Sequence, residues 1–294
     1  MSDLVTTDPD RAVRALATGG LVAVPTETVY GLAARATDPA AVARVFEVKG
    51  RPADHPLIVH LADPEDFDRW AVEVTPAARR LADSVWPGPV TLIVERSGDL
   101  PAAVAGGRAT VGMRVPAHEL TREVIRRLGA PVVAPSANLF GRVSPTSAGH
   151  VLDDLGGVLD PARDVILDGG PCAVGVESTI VDCTVAPPQV LRAGAVTAEQ
   201  ITTLVGAVAA GSGPARASGM LPSHYAPSCK VRLVDHADDA VALAAGTPSA
   251  RILDHTDDVA RYARDLYAEL RRADDDGVGT LIAVLPEPEG LGHA

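Results

Sequence analysis

The chain reads as an α/β protein built on a mixed sheet, followed by a smaller three-stranded α/β unit. Strand-like runs of β-branched and apolar residues alternate with capped helical patterns through the first half. Such runs then crowd together over 164–192, which suits a mixed sheet better than a purely parallel one. Over 206–222 the composition shifts to small residues without hydrophobic period, the mark of a linker.

The strand-like runs fall at 21–25, 56–61, 90–95, 110–115, 131–134, 164–168, 178–183 and 189–192. Asp8-Pro9 supplies an N-cap with proline in the first turn and opens a helix that closes at Gly19-Gly20. Asp38-Pro39 opens another that ends near Gly50, and Thr75-Pro76 a third that ends near Pro87-Gly88. His118 to Leu128 forms a fourth, closed by Gly129, and Thr146 or Ser147 caps a fifth. After the linker, 230–235, 250–254 and 279–285 read as parallel strands separated by helices near 237–245 and 256–272.

With 294 residues the chain allows one large or two smaller domains, and 47% hydrophobic against 22% charged residues suffices for a buried core. Aromatic residues are only 3%, so that core rests on Ala, Val, Leu and Ile, and stacking platforms for bases are scarce. No apolar stretch approaches the roughly 18 residues of a membrane span. The N-terminus lacks the basic and apolar regions of a secretion signal. Cys172, Cys183 and Cys229 are odd in number and widely spaced, as expected of a reduced cytoplasmic protein without a zinc site. A net charge of −12 argues against general nucleic-acid affinity, yet leaves room for a local cationic pocket that takes a small anion.

Candidate chemistry begins at Pro25-Thr26-Glu27-Thr28-Val29-Tyr30-Gly31-Leu32, directly after the apolar run 21–24. A buried strand that ends in Pro and then turns out hydroxyls and a Gly reads as a strand end open to a polar ligand. Lys49-Gly50-Arg51-Pro52 follows, with His55 and His60 beyond it. These cations give the ligand a negative sign, although alone they equally decorate a helix C-terminus. Lys49 and Lys230 are the two lysines among 26 basic residues, so Lys49 runs against a strong preference for Arg and suits a compact point charge.

His55 and His60 do not form a zinc pair, because five residues along a strand put them on opposite faces. Arg114 lies in a strand, where a charged side chain taken alone belongs on the solvated face, and Thr110 shares its face. Ser136 lacks the Gly-x-Ser-x-Gly elbow and a marked His-Asp pair, so it is read as a hydrogen-bond donor, not a nucleophile. Gly211-Ser212-Gly213 lacks a third Gly and a preceding strand, and is linker.

In order along the chain, Pro25–Leu32, Lys49–Arg51, His60, Val111–Pro116, Ala134–Asn138, Ser144–Thr146, Glu177–Ile180, Leu191–Gly194 and Ser223–Pro227 resemble the YrdC-like family. The similarity is to its long two-domain members, the threonylcarbamoyl-AMP synthases. It implies a twisted open mixed sheet over 6–205, a linker and lid over 206–228, and a small Rossmann-like α/β domain over 229–294. That last domain usually runs further than Ala294, so a shortened version is expected here. The implied reaction joins L-threonine, bicarbonate or carbon dioxide, and ATP, and releases pyrophosphate. Magnesium is expected with ATP, without a cage of protein ligands.

The resemblance assigns Thr28, His60, Arg114, Ala134 and Ser178 to L-threonine, with Tyr30 shaping that pocket. It assigns Arg51, His55, Thr110, Ser136, Ser144, Arg192 and Tyr225 to ATP, and Lys49 with Arg51 to stabilising phosphate charge. His60 is a weak candidate for a general base. His55 stands where the family most often has Asn. The product would pass to a separate transferase that modifies tRNA. Two rival readings are a module with weak double-stranded RNA affinity, against which the acidic charge speaks, and a carbamoyl transferase, whose usual Cys-rich segments are missing here.

Overall fold

A computed structural model describes residues 3–211 and 226–294 of the chain. Helix starts follow the expected rule. Asp8, Asp38, Thr75 and Ser147 are each extended, and each side chain accepts an N–H of the first helical turn. They open α1 (Pro9–Ala17), α2 (Pro39–Lys49), α4 (Pro76–Val85) and α6 (Ala148–Leu155). Between them lie α3 (Phe67–Trp70) and α5 (Glu119–Leu128), and after them α7 (Ala198–Val205), entered through a Thr197–Gln200 capping box.

The first unit's strands are β1 (Val5–Thr6), β2 (Val22–Val24), β3 (Gly31–Arg35), β4 (Ile58–His60), β5 (Ala71–Val72) and β6 (Val90–Arg96). They continue with β7 (Thr110–Arg114), β8 (Val132–Val133), β9 (Val165–Leu167), β10 (Thr179–Asp182), β11 (Gln189–Arg192) and β12 (Ala209–Ala210). Together they form one twelve-stranded sheet in the order β1-β9-β2-β3-β8-β4-β7-β6-β10-β11-β12, with β5 on β6. It is mixed, as expected: β2–β9 and β4–β7 are parallel, β2–β3 and β6–β7 antiparallel.

Period-2 alternation sorts the core into two layers. Ala23, Leu32 and Ala34 join the layer that packs α2, α4 and α6. Val22, Val24 and Ala33 face the other way, onto α1 and α5. Strand β3 was not foreseen, since Gly-Leu-Ala-Ala-Arg contains no β-branched residue; its burial on both faces lets small residues fill a strand. Ala209–Ala210, inside the expected linker, adds a parallel strand to β11.

The second unit holds β13 (Lys230–Val234), α8 (Ala237–Ala245), β14 (Ala250–Leu253), α9 (Val259–Asp275) and β15 (Thr280–Val284). Its strands are parallel in the order β13-β15-β14, with Ile282 and Val284 on the α8 side and Leu281 and Ala283 on the α9 side. No described helix is long and apolar enough to cross a membrane.

One buried carboxylate ties the outer strands together. Asp164 accepts from Leu21 N at 2.9 Å and from Asp160 N at 2.9 Å, and pairs with both terminal nitrogens of Arg44 on α2. It is fully enclosed, whereas Arg44 keeps slight solvent contact. Removing it strands two backbone donors and a mostly buried guanidinium. Asp164→Ala is therefore expected to lower unfolding free energy by about 3–5 kcal/mol, read from the urea midpoint.

Candidate active site

Strand ends and the loops that leave them enclose a cavity that opens to solvent. Thr26, Thr28, Arg51, His60, Arg114, Ala134, Ser136, Glu177, Ser178 and Arg192 contribute to its lining. Of the residues singled out from the sequence, Thr28, Arg51, His60, Arg114, Ala134, Ser136, Ser178 and Arg192 thus meet in one place.

Each is positioned by a local feature. Thr26 folds the strand end back on itself: its hydroxyl donates to Val29 O at 2.6 Å and accepts from Val29 N at 3.2 Å. His60 and Arg114 are register partners on the parallel pair β4–β7, while Val59 and Met113 point into the core. Gly31 lets the 134–136 loop lie against β3; a Cβ there would sit 3.0 Å from that of Ala134. The Ser178 hydroxyl is held by Thr91 at 2.8 Å and by Arg192 Nη2 at 3.1 Å.

Arg114 is almost fully buried. Its Nε donates to Gly88 O at 3.1 Å and its Nη1 to Thr28 Oγ1 at 2.9 Å. Its Nη2 lies 2.7 Å from Glu27 Oε1, but the two are poorly aligned, and both remain buried without a directed hydrogen bond among the described residues. The other Glu27 oxygen accepts from Ala117 N at 3.0 Å. A buried cation whose one ion pair is misaligned, beside an open cavity, favours a further acceptor.

His60 Nδ1 lies 3.2 Å from Ile58 O; a carbonyl only accepts, so Nδ1 carries the proton and Nε2 the lone pair. Burial first, and the Arg114 charge second, bring its pKa down to about 3. It is neutral near pH 7, and so low a basicity speaks against a general-base role.

Several residues lie elsewhere. Lys49 does not line the cavity: its buried Nζ donates to Ser136 O at 2.6 Å and to Asn138 O. Two of the three ammonium N–H directions thus shape the 136–138 loop, behind the residues that line the cavity. Tyr30 is fully enclosed, and its hydroxyl donates to Gly170 O at 2.7 Å, anchoring the turn behind the site instead of shaping the pocket. Ser144 is fully buried behind Glu177, to which its hydroxyl donates at 2.6 Å. Thr110 sits at the start of β7 opposite Glu95, on Arg114's face but outside the lining. His55 stands at the margin, edge-on to Phe140 at 5.6 Å, and Arg51 lies 5.9 Å from the same ring. Tyr225 lies outside the described residues.

Glu27, Thr91, Phe140 and Glu177 were not foreseen as parts of the site. Glu27 sits within the hydroxyl-rich motif Thr-Glu-Thr and Glu177 opens Glu-Ser-Thr, and a carboxylate beside hydroxyls at a strand end was the available signal. Thr91 and Phe140 gave none, because only the folded sheet brings them near.

Fold and site together define a YrdC-like catalytic unit with an appended α/β domain. Residues 14–194 match the Sua5/YciO/YrdC family, described as Telomere recombination, and residues 196–294 match the threonylcarbamoyl-AMP synthase C-terminal domain. The chain belongs to this family of enzymes. A threonylcarbamoyl-AMP synthase of Pyrococcus abyssi is 40% identical over 94% of this chain and 88% of its own length. One of Bacillus subtilis is 40% identical over 81% of this chain and 70% of its own. The crystal structure of P. abyssi Sua5 complexed with L-threonine superposes with a TM-score of 0.90 at 38% identity, covering 99% of this chain and 94% of that one.

Lys49 offers a test of the site's electrostatics. Burial, and then the nearby Arg51 charge, lower its pKa from 10.5 to about 7. Between those values the unfolded chain binds the proton that the folded chain has lost, so stability rises with pH and levels off above about 10.5. Below pH 7 both states are charged and the slope vanishes. Unfolding free energies from pH 6 to 9.5 should show the wild type gaining up to ~1.4 kcal/mol per pH unit over Lys49→Met above pH 7.

Proposed function

We propose that the chain forms threonylcarbamoyl-AMP and pyrophosphate from L-threonine, bicarbonate or carbon dioxide, and ATP, as a supplier for tRNA modification. The observation that carries this reading is the buried Arg114, with an unspent Nη2, in one cavity with Arg51 and Arg192. Its contact to Glu27 already displays the affinity of this fork for a carboxylate. The amino acid's acid group would take Arg114. Its hydroxyl and amine would meet Thr28, the neutral His60, Ser178 and the Ala134 backbone.

Arg51 and Arg192 would then face the phosphates, with Ser136 beside them. The threonine amine adds to carbon dioxide and gives up a proton, or condenses with bicarbonate and loses water, and the resulting carbamate oxygen attacks the α-phosphorus. The phosphorus–oxygen bond to pyrophosphate breaks as the new one forms. No covalent enzyme intermediate is needed, so the protein's work is to hold the reactants in a near-attack arrangement and to stabilise charge leaving with pyrophosphate.

The donor set fits magnesium that arrives with the triphosphate. Glu177 is the single carboxylate among the described lining residues, and its oxygens already accept hydrogen bonds from Ser144 and Tyr267. Bound magnesium would supply charge neutralisation on the phosphate oxygens, while this chain's arginines orient them. The activated product would be consumed by a separate tRNA-modifying transferase, which spares an acidic chain from holding RNA.

Pyrophosphate release is to be measured with ATP, magnesium and bicarbonate, with and without L-threonine. Threonine-dependent release is expected; threonine-independent release, or none, rejects the reading. Arg114→Ala should raise the apparent KM for threonine about 10- to 100-fold, the worth of a charge-assisted contact of ~1.5–3 kcal/mol, and leave that for ATP nearly constant. Equal effects on both substrates would remove Arg114 from the carboxylate role.

A further inference from the structure

Helix α9 belongs to the second unit, yet one stripe of it touches the segments that wall the cavity. Arg264, Tyr267, Arg271 and Asp274 recur at helical spacing and so share a face. At Arg264 the backbone comes so close to Gly175 that a Cβ on the glycine would lie 2.3 Å from Arg264 O. Arg271 donates to Val143 O and Ser144 O, and pairs with both oxygens of Asp154 on α6. Asp274 accepts from Ser228 N and Cys229 N at 2.7 and 2.8 Å, where the chain enters the second unit. Val29, which lines the cavity, and Val143 pack in one cluster with Tyr262, Tyr267 and Leu270.

The contact with chemical content is at Tyr267. Its buried hydroxyl donates to Glu177 Oε2, while Ser144 donates to Glu177 Oε1 at 2.6 Å. Glu177 lines the cavity together with Arg51 and Arg192, the two guanidiniums read as facing the phosphates. A carboxylate free to turn toward those guanidiniums would compete, at very high effective concentration, with any anion that binds there. Two hydroxyls, one from each unit, hold it against the wall.

We propose that Tyr267 is a positioning residue of the catalytic cleft: it restrains Glu177, so that the second unit keeps an internal anion from occupying the nucleotide's place. This rests on the reading of the cleft as an ATP and threonine site. The threonine side is fixed separately, because Ser178 is held by Thr91 and Arg192 without help from α9. The restraint therefore acts on one substrate and not on the other.

The test compares full-length wild type, Tyr267→Phe, Glu177→Gln and the double variant in threonine-dependent pyrophosphate release. Magnesium-ATP binding is titrated by calorimetry on the same proteins, and melting curves are recorded. Tyr267→Phe should raise the apparent KM and the dissociation constant for ATP about 10- to 100-fold, the order expected for one hydrogen bond to a charged group, while the KM for threonine stays put. Glu177→Gln, which cannot act as a competing anion, should restore ATP binding in the Tyr267→Phe background. An unchanged KM for ATP overturns the proposal. So does a loss that Glu177→Gln leaves in place, or an equal loss for both substrates with a lowered melting temperature, either of which reduces Tyr267 to packing. A wild type that binds magnesium-ATP but releases no pyrophosphate refutes the proposed reaction alone, and calorimetry still decides the restraint. A wild type that binds no ATP refutes both.

Discussion

Burying several cations around one cleft is the constraint on which the rest of this structure depends. Lys49, Arg51 and Arg114 are each nearly inaccessible to solvent, and isolated charges in that state cost several kcal/mol apiece. The fold answers them mainly with carbonyl oxygens. Ser136 and Asn138 turn theirs to Lys49, Pro56 to Arg51, and Gly88 to Arg114. The loop before β4, the loop after β8 and the turn before β6 are thereby drawn to the same centre, which explains why segments so far apart in sequence converge. A carbonyl offers only a partial charge, so the pocket keeps a positive field despite a chain charge of −12.

This also explains how much could be read from the amino-acid order. Helix starts were legible because a cap is a local device: Asp-Pro at 8–9 and 38–39 and Thr-Pro at 75–76 act within one turn. Strand β7 was legible through Val111, Met113 and Val115, whereas β3 and β12, made mostly of Ala and other small residues, carry no strand propensity of their own and exist because neighbouring strands flank them. Arg114 and Thr28 stood out because strand and turn place them directly. Lys49 stood out as a lysine among arginines, but its reach to two carbonyls on the far side of a loop was not legible, because only the fold brings that loop to the end of α2. Glu177's restraint by Tyr267 spans 90 residues and two units, and no local pattern announces it.

The acids near the cleft are arranged by the same logic. Glu27 leans on Arg114 but is drawn aside by Ala117 N, which leaves the ion pair misaligned and the guanidinium short of an acceptor. Glu177 has both oxygens occupied by hydroxyls. Neither carboxylate is placed to neutralise an arginine fully. Glu27 lowers the cost of burying Arg114, and an anion that makes better-directed bonds to that guanidinium would outcompete it, a difference of affinities.

Such an arrangement makes rigidity part of recognition. Anions inside the cleft compete with the ligand only to the extent that they can move, so walls must be held from outside as well as from within. Thr91 and Arg192 do this for Ser178 from the first unit, and Tyr267 and Arg271 do it for Glu177, Val143 and Ser144 from the second. The helix that supplies the latter pair is amphipathic, and its apolar residues, Tyr262, Tyr267 and Leu270, bury against Val29 and Val143 of the first unit. The hydrophobic seam between the units and the electrostatic poise of the cleft are therefore one piece of structure: loosening α9 frees a carboxylate among arginines.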